Sequence, residues 1–240
     1  MKPMLSIIIP CYNGEKFLAD AVSSVLKQPC QDLEIIIVDD GSKDSSGVIA
    51  DQFALEHENI QVIHIPNSGV SVARNKGIEQ ALGNYIGFLD ADDVLCRNAY
   101  DSETHSVLKS GQFDMLSFSY MKGTEDMRYG CMISAGAPGV YLREDKDYIR
   151  QTEDLFCSYL FRRDLLVDSV GFPEGIRYCE DACFLFLAAR RARNMMQYEK
   201  PWFVYRMNFS STMHRLKNAD YILEEVDAWN WCIQNSTDQK

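Results

Sequence analysis

Short apolar runs alternate with longer amphipathic segments through the first half of the chain. Four continuous apolar runs predict buried strands over residues 5–10, 34–38, 60–65 and 85–89. Between them, apolar residues recur at helical spacing and predict helices over residues 14–28, 44–58 and 70–82. Strands that are apolar on both faces and alternate with helices are typical of a parallel sheet covered on both sides.

The second half has a less regular pattern. Short alternating or apolar runs predict strands over residues 115–120, 156–161 and 202–207, with a loop or hairpin over 122–139. Helical spacing or charge predicts helices over residues 143–151, 163–168, 182–192 and 218–234. Since no repeat, low-complexity tract or linker separates the two halves, we predict one α/β domain followed by a C-terminal helix.

Polar clusters follow the predicted strands of the first half. They comprise residues 10–13, Asp39 with Asp40, Asn67 with Ser68, and Asp90, Asp92 and Asp93. The carboxyl ends of parallel strands meet at one edge of a sheet, where ligands of such folds bind. The clusters therefore predict a nucleotide site. It is not of the dinucleotide type, because no G-x-G-x-x-G follows the first strand, and no phosphate-binding G-x-x-x-x-G-K-[ST] occurs.

Asp90 and Asp92 directly follow the fourth strand and are two residues apart. This spacing suits Mg²⁺ or Mn²⁺ held by one or two carboxylates together with substrate phosphates. Aspartate is also common in turns, so the pair by itself fits a turn as well as a metal site.

Composition narrows the class of partner. The chain of 240 residues has a formal net charge of −11, which argues against a nucleic-acid-binding surface. An acidic protein needs a metal ion or local arginines to hold a polyphosphate. Eight cysteines without a C-x-x-C pair predict free thiols in a reducing compartment. With no signal peptide or apolar run of ~20 residues, we predict a cytoplasmic protein, with association at the inner membrane face still open.

Several motifs together resemble the family 2 glycosyltransferases. They are Ser6-Ile-Ile-Ile-Pro-Cys-Tyr-Asn13, Ile37-Val-Asp-Asp-Gly-Ser42, Asn67-Ser-Gly-Val-Ser-Val-Ala-Arg-Asn75, Gly87-Phe-Leu-Asp-Ala-Asp-Asp93 and Glu180-Asp181. The resemblance implies the GT-A fold, a Rossmann-type three-layer sandwich with a mostly parallel central sheet. It also implies an inverting enzyme that uses a nucleotide-diphosphate sugar and Mn²⁺ or Mg²⁺. A UDP-sugar donor, a glycan or lipid-linked glycan acceptor and a role in bacterial surface-polysaccharide synthesis are the accompanying expectations.

The resemblance also assigns roles to residues of this chain. Asp40 is expected to accept hydrogen bonds from the uracil ring, and Tyr12 to pack on the base. Asp92, Asp90 and His214 are the expected metal ligands. The predicted donor-binding residues are Pro10, Tyr12, Asn13, Glu15, Asp39, Asp40, Arg74, Asn75, Asp90, Ala91 and Arg206. Arg74 can hold a phosphate or stabilise the carboxylates of the site, because a guanidinium binds oxyanions in a bidentate way.

An inverting transferase needs a general base for the acceptor hydroxyl. In the family this is the aspartate of the Glu-Asp pair, which corresponds to Asp181. Apolar neighbours such as Phe184 predict that Asp181 is partly buried, and burial raises the pKa of a carboxylate. Glu180 can equally be an ordinary acidic residue of a first helical turn.

The resemblance divides the domain by role. Residues 1–110 are the predicted nucleotide-sugar-binding half, residues 111–217 the acceptor and base half, and residues 218–240 a C-terminal helix that can pack in place or form a homodimer. Two other functions stay open. Asp90-Ala-Asp-Asp-Val94 also fits the motif of aspartyl-phosphate hydrolases, and a degenerate sugar-nucleotide-binding module would share the fold.

Overall fold

The computed structural model describes residues 2–124, 129–134, 137–144, 155–167, 170–207 and 219–236. The strands are β1 (Leu5–Cys11), β2 (Leu33–Asp39), β3 (Ile60–His64), β4 (Tyr85–Phe88), β5 (Val94–Leu95), β6 (Met115–Gly123), β7 (Tyr129–Ile133), β8 (Gly139–Leu142), β9 (Tyr159–Arg162) and β10 (Asn194–Arg206). The helices are α1 (Leu18–Leu26), α2 (Ser46–Glu56), α3 (Val70–Gln80), α4 (Ser102–Ser110), α5 (Arg163–Leu166), α6 (Glu180–Arg191) and α7 (Ala219–Ser236).

One sheet runs through the domain in the order β3-β2-β1-β4-β9-β6-β10-β5, with β7 beside β6 and β8 beside β10. The first four strands are parallel, as the continuous apolar runs predict; Ile8 of β1, for example, aligns with Ile36 on one side and Phe88 on the other. β9 lies antiparallel between β4 and β6, and therefore joins the two halves into one sheet. The predicted α/β fold with a mostly parallel central sheet is confirmed.

Helix α3 approaches the sheet closely because it carries a glycine at the contact. A Cβ atom on Gly77 would lie 2.4 Å from Cγ2 of Ile8, a separation that side chains do not tolerate. Gly77 thus lets α3 lie directly on β1. Arg74 and Asn75, one turn earlier on α3, are thereby held near the carboxyl edge of the parallel strands.

A cluster of phenylalanines joins α6 to the sheet. Phe172 and Phe184 stack with ring centroids 3.9 Å apart, and Phe88 lies edge-on to both. Phe156 and Phe161 complete the cluster around Phe184. Burial of these rings stabilises the position of α6 relative to β4, so the first turn of α6 has a defined place beside the sheet edge.

Some predicted elements are wrong in extent or identity. β10 begins at Asn194, well before the predicted strand over 202–207, and residues 156–158 form a turn of 3₁₀-helix ahead of β9. Neither α4 nor β5 is predicted. The cap of α4 is Asp101, whereas the carboxylate of Asp93 accepts a hydrogen bond from the Arg206 backbone.

The predicted helix over 143–151 lies largely outside the described residues. Of that segment, residues 143–144 form a turn after β8. Among the described helices, none is long and apolar enough to cross a bilayer.

Candidate active site

A cavity of about 990 Å³ opens at the carboxyl edge of the parallel strands. It is bounded by the segments after β1, β2 and β4, by residues 67–73 and by residues 175–178. The predicted site residues that line it are Pro10, Tyr12, Asn13, Asp40, Asp90, Ala91 and Asp92. Four separate segments of the first half thus meet in one cavity, as the polar clusters at the strand ends predict.

Asp40 joins the end of β2 to the start of α3. Its Oδ1 accepts a hydrogen bond from the Ser68 backbone N–H at 2.7 Å, and its Oδ2 accepts one from Gly69 N–H at 2.9 Å. The Asn67 amide also donates to Oδ2, at 3.3 Å. Each carboxylate oxygen can accept two hydrogen bonds, so Oδ1 retains capacity for a ligand donor. Asp40 therefore both fixes the loop before α3 and lines the cavity.

The turn after β1 is held by the turn after β2. Asn13 adopts a left-handed conformation with φ of 51°, which asparagine tolerates better than most residues. Its backbone N–H donates to Ser42 Oγ, and its Oδ1 accepts from Lys43 N–H. Glu15, also predicted to bind the donor, accepts a hydrogen bond from Ser45 N–H and is outside the cavity lining.

Asp39 is buried and lies outside the cavity lining, in contact with His64 and Ser42. Its Oδ2 is 2.9 Å from His64 Nδ1, and its Oδ1 accepts from Ser42 N–H. Burial alone would raise the pKa of Asp39, but these hydrogen bonds outweigh it and the pKa is lowered. The hydrogen bonds to Asp39 and Asp51 raise the pKa of His64 in turn. Asp39 thus ties β2 to β3 beneath the site.

Arg74 is buried and bridges the two halves of the site. Nη2 lies 3.0 Å from Asp90 Oδ1, and Nη1 lies 3.0 Å from Glu180 Oε1. The guanidinium also sits 4.3 Å from the centroid of the Phe156 ring. Burial opposes the charge, but Asp90 and Glu180 outweigh it and raise the pKa of Arg74. Of the two predicted roles of Arg74, the stabilisation of carboxylates is the one that its contacts match.

Arg206 supports the turn that carries Asp92 and Asp93. Its backbone N–H donates to Asp93 Oδ1 at 2.8 Å, and its Nε donates to the Asp92 carbonyl at 2.6 Å. The guanidinium reaches Asp20 at 3.3 Å and lies over the Phe17 ring. Arg206 is buried behind the cavity lining, so its contacts are those of a residue that positions the acidic turn.

The acidic turn has the electrostatics of a cation site. Burial, then the charge of Asp90, raises the pKa of Asp92, and the same causes raise the pKa of Asp93 well above its usual range. Asp90 Oδ2 is contacted by the Cys157 thiol at 3.8 Å, and burial keeps that thiol neutral by raising its pKa. Repulsion between carboxylates of this kind is relieved by a bound cation.

The donor set fits a metal held jointly with a ligand. Within the described ranges, no three side chains of the Asp, Glu, His and Cys type form a complete cage. Asp90 and Asp92 both line the cavity, and hard cations such as Mg²⁺ combine one or two carboxylates with substrate phosphates. Asp90 and Asp92 therefore suit Mn²⁺ or Mg²⁺ if a diphosphate completes the shell. His214, the third predicted ligand, lies outside the described residues.

Asp181 stands in the first turn of α6, next to Glu180. Burial is the main cause that raises the pKa of Asp181, and the charge of Asp90 also reaches it; Ala182 N–H donates to its Oδ1. Burial likewise raises the pKa of Glu180, which Arg74 partly counteracts. Because Glu180 is engaged by Arg74, Asp181 is the better placed of the two to accept a proton.

Sequence reasoning missed the loop that closes one side of the cavity. Residues 175–178 line it, although they carry no motif. Asn75 holds the approach to this loop, since its Nδ2 donates to the Phe172 carbonyl and its Oδ1 accepts from Phe172 N–H. The sequence predicts that Asn75 binds the donor, whereas the hydrogen bonds of Asn75 in the structure hold Phe172, just before this loop. No local signal could reveal a contact between residues 97 positions apart.

The comparisons with known proteins agree with this architecture. Residues 6–121 match the sequence model described as Glycosyl transferase family 2. The uncharacterized glycosyltransferase EpsJ of Bacillus subtilis (strain 168) is 35% identical over 218 residues, covering 88% of this chain and 63% of EpsJ. The minor teichoic acid biosynthesis protein GgaA of the same organism is 34% identical over 190 residues, covering 75% of this chain and 42% of GgaA.

A solved structure shares the fold. Residues 1–349 of TarS from S. aureus, in complex with UDP-GlcNAc, superpose with a TM-score of 0.81 at 22% identity, covering 98% of this chain and 67% of that one. The predicted GT-A-like fold is therefore confirmed, while the chain spans less than two thirds of the length of EpsJ. Through residues 6–121, this chain belongs to glycosyl transferase family 2.

Proposed function

We propose that the protein is an inverting glycosyltransferase that moves a sugar from a UDP-sugar to a hydroxyl group of a glycan. The observation that carries the proposal is the link through buried Arg74. It joins Asp90, which lines the cavity at the sheet edge, to Glu180 in the first turn of α6, where the neighbouring Asp181 stands. A nucleotide site and a proton acceptor are the two parts that sugar transfer requires.

The donor is proposed to lie along the sheet edge. Tyr12 is half-exposed at the cavity wall, where its ring can pack on the base, and Asp40 Oδ1 has capacity for one more hydrogen bond. The diphosphate would then approach Asp90 and Asp92. Asp92 and Asp90 would hold the Mn²⁺ or Mg²⁺, which as a Lewis acid would offset charge on the diphosphate leaving group.

Asp181 is the proposed general base. Its carboxylate takes the proton of the acceptor hydroxyl while that oxygen forms a bond to the anomeric carbon and the bond from this carbon to the diphosphate breaks, releasing UDP. The attack from the face opposite the leaving group inverts the anomeric centre. A raised pKa strengthens Asp181 as a proton acceptor at neutral pH.

The acceptor is proposed to be a glycan or lipid-linked glycan in the synthesis of a cell-surface polymer. The likeness to GgaA, a protein of teichoic acid biosynthesis, supports this class. We propose a cytoplasmic location, with the membrane face as the place where a lipid-linked acceptor would be met.

Calorimetry tests the donor and metal roles together. UDP is titrated into the protein with and without Mn²⁺, with GDP and dTDP as competitors for the same cavity. We expect binding of UDP that requires the metal and is lost in the Asp92→Ala variant. Preference for GDP or dTDP would overturn the uracil assignment of Asp40. The absence of nucleotide binding in every condition would instead favour the phosphohydrolase or a degenerate binding module, and a phosphatase assay would separate these two.

A further inference from the structure

A second cavity, of about 530 Å³, lies at the far end of α6 from Asp181. Three cations line it: Arg143 after β8, and Arg190 and Arg191 in the last turn of α6. Phe172, Leu187 and Trp231 supply apolar wall, the last of them from α7. We call this site the arginine pocket. Four separate segments of the second half meet there: the turn after β8, residues 170–172, α6 and α7.

These three arginines differ from the arginines of the protein that form ion pairs. Arg74, Arg162, Arg193 and Arg206 each form an ion pair with an aspartate. In the part of the chain that the structure describes, no carboxylate pairs with the three arginines of the pocket. Three arginines around one cavity are notable in a protein with a formal net charge of −11. The three arginines give the cavity a positive charge, which would attract an anionic ligand.

The carboxyl end of α6 offsets part of the positive charge of the arginine pocket. Arg143 Nη1 donates to the carbonyl of Arg190 at 3.4 Å, as cations often do at the carboxyl end of a helix. A helix terminus carries the equivalent of about −0.5 elementary charge, however, whereas the pocket gathers three positive side chains. Most of the positive charge therefore remains available to a ligand.

We propose that the arginine pocket binds a phosphate group of the acceptor substrate, an inference that rests on the proposed glycosyltransferase function. Guanidinium groups bind phosphate oxygens in bidentate fashion, and several of them match a group that carries more than one negative charge. Arg190 follows Asp181 by nine positions, which is about 14 Å along the helix. The bound phosphate is thus not that of the donor but belongs to a more distant part of a phosphate-bearing glycan.

The first test measures the pocket apart from the donor site. Inorganic pyrophosphate is titrated by calorimetry in metal-free buffer, where the carboxylates Asp90 and Asp92 repel it from the active-site cavity. We expect binding by the wild-type protein and a Kd raised roughly 10-fold or more in the double variant Arg190→Ala/Arg191→Ala, as for the loss of charge-assisted hydrogen bonds. Arg97→Ala removes an exposed cation elsewhere and should leave the Kd unchanged.

Arg143→Ala guards against a simple folding defect, because Arg143 does not belong to α6 and must also weaken binding. An unchanged Kd in both the double variant and Arg143→Ala would overturn the proposal, whatever the outcome of UDP titrations in Mn²⁺. A soluble glycerol-phosphate oligomer then identifies the source of the phosphate. Binding of this oligomer that depends on the three arginines supports the proposal. Arginine-dependent binding to phosphatidylglycerol vesicles without binding of the oligomer overturns the assignment to an acceptor.

Discussion

Replacement of Arg74 by methionine is the most informative perturbation of the site. The guanidinium is 5% exposed and lies between Asp90 and Glu180, whose side chains are 36% and 13% exposed. Methionine retains apolar contact with the neighbouring Phe156 ring but removes the charge. The substitution therefore leaves the mostly buried carboxylate of Glu180 without its cation, while Asp90 keeps access to water.

The magnitude follows from these exposures. Removal of one partner of a buried ion pair costs about 3–5 kcal/mol, and a half-exposed pair adds little, so the Glu180 contact dominates. For a protein of this size each kcal/mol lowers the melting temperature by about 2–4 °C, which predicts a decrease of roughly 6–20 °C at neutral pH. Loss of Arg74 also raises the pKa of Glu180 further, because Arg74 now lowers it. Protonation then removes the buried charge, so the decrease should be smaller at pH 5 than at pH 7.5.

Thermal unfolding followed by circular dichroism measures both effects. Lys76→Ala is the matched control: it disrupts an exposed pair with Glu79 on the same helix and should leave the melting temperature unchanged within error. A decrease for Arg74→Met no larger than that of Lys76→Ala would refute the bridging role. So would a decrease that is the same at the two pH values, since the argument depends on the ionised carboxylate of Glu180.

Three further predictions concern the proton acceptor, the acidic turn and the base of the sheet. Asp181→Asn should lower the rate of sugar transfer by about 10²–10⁴-fold while UDP affinity in calorimetry stays the same; undiminished turnover would contradict the assignment of the base. Arg206→Met should weaken Mn²⁺-dependent UDP binding about 10-fold, because the Asp92 carbonyl loses its donor, and an unaltered Kd would exclude a positioning role. Since the folded-state pKa of His64 is raised, its bonds stabilise the fold below about pH 6.5 and are lost as pH rises through that raised pKa. His64→Asn should therefore lower the melting temperature more at pH 5.5 than at pH 8.5, and an equal change at both would refute the linkage.

The parallel half could be predicted closely because three of its strands, β1, β2 and β4, are buried on both faces. A continuous apolar run such as residues 35–38 has one interpretation when helical spacing precedes and follows it, and β2 indeed covers Leu33–Asp39. The start of β10 had no such signal. Gln197, Glu199 and Pro201 interrupt the apolar pattern, and the strand is formed by pairing with β6 and β8 across irregular register shifts. That pairing is a tertiary effect that local spacing does not encode.

The residues of the site likewise divide into those placed by local sequence order and those placed by tertiary contacts. Tyr12, Asp40, Asp90 and Asp92 follow strands directly, so their meeting at one edge could be predicted from the order of elements. The partners of Arg74 and Asn75 could not, because Glu180 and Phe172 lie about 100 positions away along the chain. Residue type restricts what a side chain can bind, while the fold decides which partner it meets. Arg74 therefore kept two interpretations until the position of α6 was known.

This long-range pairing has a consequence for the chemistry. The proposed base belongs to α6, whereas the carboxylates proposed to hold the metal and donor follow β4. One helix, α3, connects the two: Arg74 binds Asp90 and Glu180, and the adjacent Asn75 binds the backbone of Phe172. Displacement of α6 away from the sheet edge would break both sets of contacts at once. A misplacement of about 1 Å can lower the rate of a reaction by two orders of magnitude. The buried ion pairs of Arg74 therefore have a physical reason, because they hold the donor site and the base in a fixed relative position. Arg74→Met should accordingly reduce sugar transfer more strongly than it reduces UDP affinity, and equal losses of both would place its effect in donor binding alone.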